Sequence, residues 1–87
     1  MTEQEKMQKQ DDVLLLFKFK LRRKIIRDHE AFLLHELLRD IASISTEQGL
    51  EDPPIHETST LRRFTEKNFA DEISLFSSGR HVIVYPS

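Results

Sequence analysis

Residues 73–86 read ISLFSSGRHVIVYP. Two runs of β-branched and aromatic residues flank Ser77, Ser78, Gly79 and Arg80, and such runs around a glycine-containing turn mark a β-hairpin. Everything before this stretch reads as helix or loop. The hairpin therefore sets the fold class as α+β and helix-dominated, with three helices followed by two C-terminal strands.

Working outward, Ser59 or Thr60 offers a capping hydroxyl for a third helix that runs to about residue 70. Its inward residues are Leu61, Phe64, Asn68 and Phe69, leaving Arg62, Arg63, Glu66 and Lys67 outside. The preceding segment 51–57 contains Pro53 and Pro54 and cannot continue a helix. Gly49 followed by Leu50 fits a left-handed C-cap with a trailing apolar contact. The spacing thus predicts a second helix over 31–48, with Leu34, Leu37, Leu38, Ile41 and Ile44 as its stripe. Asp28, His29 and Glu30 separate it from a first helix over about 12–27, which Asp11 and Asp12 introduce. Residues 1–10 have no branched apolar residue and are expected to form a flexible tail, leaving 11–87 as one small helical domain with its hairpin. The chain stops on a strand pattern, HVIVYPS, as expected of a fragment of a longer protein.

The first helix carries more apolar residues than one face can bury. Leu14, Phe17, Leu21 and Ile25 share a face at helical spacing, while Leu15, Phe19 and Ile26 form a second flank that needs a cover of its own. Lys20, Arg23, Lys24 and Arg27 make a basic stripe between them. Charge is segregated along the chain: 18–27 holds six bases and no acid, and 28–57 holds one base and eight acids. The plainer consequence is attraction between the first two helices, within a molecule or across a dimer. The sharper one is a phosphate site, which the overall charge of −2 disfavours.

At 87 residues the chain buries only about 60–65% of its unfolded surface, so one modest core with marginal stability, or help from self-association, is expected. The absence of Cys removes disulfides, thiolate metal sites and thiol catalysis, and fits an intracellular setting, cytoplasmic or nuclear. No apolar run approaches the roughly 18–20 residues of a membrane span, so no membrane partner is expected.

Several short motifs have a functional and a plainer meaning. His35-Glu36-Leu37-Leu38-Arg39 begins like the zinc-protease helix, but Arg39 stands where the second His is needed, and a cation cannot ligate zinc. His29, His56 and His81 are scattered in sequence, so no metal site is expected. Leu34-His35-Glu36-Leu37-Leu38 resembles the LxxLL helix by which coactivators fill a hydrophobic groove, yet the same leucines are the best core stripe in the chain. Arg62-Arg63-Phe64-Thr65 resembles a basophilic kinase site, but a folded third helix would hide it. Lys20 to Lys24, KLRRK, resembles a nuclear-import patch, though it lies among apolar helix residues. There is no glycine-rich phosphate loop, no nucleophile elbow and no facing carboxylate pair. Neither an enzyme nor a cofactor nor a small-molecule substrate is expected.

The order helix, helix, helix, strand, strand over about 13–86 resembles a winged-helix domain. In that family the third helix commonly enters the major groove and the hairpin tip touches the backbone. The resemblance implies Arg63 and Lys67 as helix contacts, and Arg80 and His81 as wing contacts. Glu66 beside that face, and a net charge of only +1 over 58–87, depart from the DNA-binding form and suit the protein-docking form. The expected function is non-catalytic binding, by protein–protein interaction or assembly into a homo-oligomer through Leu15, Phe19 and Ile26. The alternative is nucleic-acid binding through Lys20, Arg23, Lys24, Arg27, Arg63, Lys67, Arg80 and His81.

Overall fold

The computed structural model describes residues 2–86. The elements in chain order are α1 (Glu3–Asp28), β1 (Phe32–Leu33), α2 (Glu36–Glu47), α3 (Thr58–Asn68), β2 (Ile73–Ser78) and β3 (His81–Pro86).

α1 begins well before the expected residue 12. Thr2 caps it, its hydroxyl accepting the Glu5 N–H at 3.2 Å, with Glu5 at the capping-box spacing. Of the tail expected over 1–10, Met1 lies outside the described residues, and Glu3 onward is helix. Capping and helix-compatible Glu, Gln, Lys and Met residues carry the helix there, with residues 3–8 exposed and only Lys9 and Gln10 partly buried. At its other end α1 stops where a break was expected, with His29 at φ 53° turning the chain.

The expected second helix over 31–48 divides. Phe32 and Leu33 pair antiparallel with Val84 and Ile83, and the Leu34 N–H donates to the Val82 carbonyl at 2.8 Å. Those backbone groups are spent on a sheet, so α2 starts only at Glu36. The sheet order is β1-β3-β2, all antiparallel, making a three-stranded sheet where two strands were expected. Between β2 and β3, Ser78 faces His81 across a two-residue turn in which Gly79 takes φ 60°, the type II′ pattern.

α2 ends as the sequence implies. Gly49 has φ 77°, its N–H donates to the Thr46 carbonyl, and the Leu50 N–H donates to the Ser45 carbonyl, a complete Schellman motif with Leu50 buried behind it. Gly49→Ala is expected to cost about 1 kcal/mol, because Ala resists positive φ even where its Cβ meets only the flexible end of Lys9 at 3.5 Å. Thermal melting followed by circular dichroism measures it, and an unchanged midpoint would place the strain elsewhere.

Val13, Phe17, Leu21 and Ile25 of α1 meet Leu34, Leu37, Ile41 and Ile44 around α2, with Leu50, Ile55, Leu61, Phe69, Ile73 and Val84 closing one core. The buried α1 stripe includes Val13 where Leu14 was expected; Leu14 is half-buried beside it. In α3, Thr65 is fully buried, whereas Asn68, expected inward, is half-buried and donates to the Phe64 carbonyl.

Candidate functional site

Once α1 has packed its Val13, Phe17, Leu21 face inward, the 3.6-residue period turns Leu15, Phe19 and Ile26 outward. They are 66%, 64% and 64% exposed, and Leu16 beside them is also exposed. These are the residues expected at an interface, and among the described residues nothing covers them. An aligned ridge of exposed Leu, Phe and Ile on a well-formed helix is what a partner surface buries.

The basic stripe lies along one edge of this ridge. Lys20, Arg23, Lys24 and Arg27 line a shallow depression of about 450 Å³ with Phe19 and Asp40. Acids already answer three of the four cations. Lys20 Nζ is 3.8 Å from Asp40 on α2, Lys24 Nζ is 3.6 Å from Asp28, and Arg27 Nε is 2.8 Å from Asp28. The hydrogen bond from Arg27 holds the Asp28 carboxyl below its ordinary value, and raises the guanidinium in turn. Lys24 also lies 5.0 Å from the Phe32 ring centroid, and Arg23 5.9 Å from that of Phe19. Among the described residues the Lys20–Asp40 pair is the one ion pair from this stripe to α2, so attraction between the two helices is present but modest at an exposed position.

A second basic surface involves a residue that the sequence reading omitted. Arg63 and Lys67 of α3 share a depression of about 600 Å³ with Lys18 of α1, floored by Leu14, Ile55 and Phe64. Lys18 lies 5.7 Å from the Phe64 ring centroid. Lys18 was one of six bases in its run, and only the crossing of α1 with α3 singles it out. Arg80 and His81 stand exposed at the hairpin. The structure brings His81 beside His35 rather than into a basic cluster, with ring centroids 5.6 Å apart. Antiparallel pairing brings these histidines together, and no local spacing could announce it.

Other motifs take their plainer meaning. Leu34 and Leu37 are buried and Leu38 packs against the core, so the LxxLL face is spent on folding. Thr65 is fully buried, its hydroxyl donating toward the Leu61 carbonyl. Among the described residues no three His, Asp or Glu side chains gather as a metal site, and no helix is long and apolar enough to cross a membrane. The outer face of the sheet adds Phe76 and Tyr85, both exposed, which the sequence reading did not single out. Alternation along β2 and β3 was the available signal. Comparison with protein-family models, with curated proteins and with solved structures finds no match.

Proposed function

We propose that this chain is a non-catalytic binding module that docks a protein surface onto the outward ridge of α1. The observation that carries this is the exposure of Leu15, Phe19 and Ile26 along one line of an ordered helix, at 64–66% each. Burying three such side chains contributes about 1.5–3 kcal/mol apiece before the cost of association. An element order with a short strand after the first helix, and a sheet ordered β1-β3-β2, supports the winged-helix-like arrangement, and Glu66 with the net charge of only +1 over 58–87 favours its protein-docking form. A ridge that serves docking is dispensable for folding. Phe19→Gln with Ile26→Gln is therefore expected to keep the wild-type melt within about 0.5 kcal/mol at concentrations where both proteins are monomeric, while abolishing association through α1. Calorimetry and sedimentation of both proteins test this, and a loss of stability comparable to a core substitution would place the ridge in the fold instead.

A second reading rests on Lys18, Arg63 and Lys67 around one depression, none of them in an ion pair among the described residues. These cations suit the phosphates of a nucleic acid. If about four bases engage duplex DNA, the slope of log affinity against log salt is near −3.6. Changing Arg63 and Lys67 together to Ala then reduces the slope by about 1.8. A retardation series across salt concentrations measures both, and no retardation at low salt by the folded protein removes this reading.

A further inference from the structure

We propose that the occupant of the α1 ridge is a second copy of this chain, packed antiparallel so that Leu15 of each copy faces Phe19 of the other across a twofold axis. The proposal rests on the docking reading above and adds to it the partner and its direction.

Positions 8, 12, 15, 19, 22 and 26 follow one another at alternating steps of four and three, the 3.5-residue seam along which two helices pack. They hold Gln8, Asp12, Leu15, Phe19, Arg22 and Ile26. The seam runs opposite Phe17, which is buried in the core. α1 has 26 residues, about 39 Å at 1.5 Å per residue, and the molecule's longest extent is 40 Å. A second α1 centred at residue 17 therefore lies along residues 6–28 of it.

Charge decides the direction. Residues 1–12 hold four acids and two bases, whereas 18–27 hold six bases and no acid; Asp28, Asp40 and Glu72 pair with four of those bases and leave this half net positive. A parallel pair sets the basic halves against each other at about 8–10 Å, within the roughly 10 Å screening length of 0.1 M salt. An antiparallel pair centred at residue 17 sets each acidic half against a basic one. In that register Asp12 meets Arg22 of the other copy, Ile26 meets Gln8, and the Leu15, Leu16 and Phe19 side chains of both copies gather at the axis.

Arg22 is prepared for this. Its Nε donates to Glu72 at 3.2 Å, which leaves the terminal nitrogens for an added carboxylate. Of the flank cations, Arg23 lies over the Phe19 ring at 5.9 Å, where the register brings Asp11 of the other copy, and three others point elsewhere. Lys18 lies toward the Phe64 ring, Lys20 toward Asp40, and Lys9 Nζ sits 3.5 Å from where a Cβ on Gly49 would be.

The chain has no Cys, so Gln4→Cys on the exposed start of α1 gives one spin-label position per copy. Sedimentation equilibrium is expected to show a dimer, and Phe19→Gln with Ile26→Gln a monomer that melts like the wild type at low concentration. Pulsed electron resonance on the labelled dimer is expected to read about 39 Å between copies, from 26 residues of axial offset. A distance near 10 Å overturns the antiparallel arrangement while the docking reading stands. A wild-type monomer at near-millimolar concentration overturns the second copy as partner and leaves docking of another protein. A dimer that survives the ridge substitutions overturns the ridge as the seam between copies. Asp11→Lys with Asp12→Lys is expected to raise the dimer dissociation constant about tenfold or more, and an unchanged constant contradicts the charge pairing.

Discussion

Phe17→Ala is expected to destabilise the fold by about 3–5 kcal/mol, the range for emptying a buried phenylalanine site. A domain of this length has roughly 4–13 kcal/mol in total, so the variant is close to unfolded at room temperature, and urea titration followed by circular dichroism measures the loss. Phe17 is fully buried between Val13 and Leu21 on α1, and its ring meets that of Phe64 on α3 at 6.0 Å and 40°. Neighbours on two helices hold the cavity open, because neither can move in without leaving its other contacts. The ion pairs around it, all partly or wholly exposed, cannot make up the difference. A loss below about 1.5 kcal/mol would mean that α3 relaxes onto α1 and that the depression beneath Arg63 and Lys67 is plastic.

The contrast between Phe17 and Phe19 shows what the sequence makes legible. Both sit on the same helix, two residues apart, and the 3.6-residue period alone sends one inward and the other out. The hairpin and the Gly49 cap were legible for a similar reason, since each depends on local chemistry that a few residues carry. Phe32 and Leu33 were not. A two-residue strand has no period to detect, and its partners Val84 and Ile83 lie at the far end of the chain. The substitution of Val13 for Leu14 in the core stripe is an error of one residue, about 100° of helix rotation, which neighbouring apolar residues in VLLLF could not resolve. The start of α1 was legible in part. Thr2 and Glu5 stand at capping-box spacing, but the absence of branched apolar residues just after them concealed that a helix needs no burial in its first turns. Of the two basic surfaces, the stripe on α1 was visible as a run, whereas Lys18 beside Arg63 and Lys67 exists only once two helices cross.

Thr65→Glu is expected to abolish cooperative unfolding at neutral pH, because the position has no solvent exposure and its hydroxyl faces backbone carbonyls, which repel a carboxylate. The native hydroxyl donates to the Leu61 carbonyl at 3.1 Å and lies 2.9 Å from the Arg62 carbonyl, so its single proton is shared within α3. A carboxylate in its place is both larger and charged. Leaving one buried and unpaired costs several kcal/mol, comparable to the whole stability of a domain this size. Thr65→Val separates shape from charge: it removes the hydroxyl, keeps the volume and is expected to cost only about 1 kcal/mol. Together the variants decide the meaning of Arg62-Arg63-Phe64-Thr65. Arg62 is engaged with Glu66 at 3.1 Å and with the Ser77 hydroxyl at 2.9 Å, tying α3 to β2, which leaves it committed to the fold. A kinase reaching Thr65 would have to unwind α3, and the added phosphate, with about −1.5 to −2 charge, would keep it unwound. Circular dichroism of Thr65→Glu should therefore show loss of helix and no sharp melt. A Thr65→Glu protein that melts with the wild type would show that the side chain reaches solvent, and the motif would then stand as an accessible modification site beside the α3 cations.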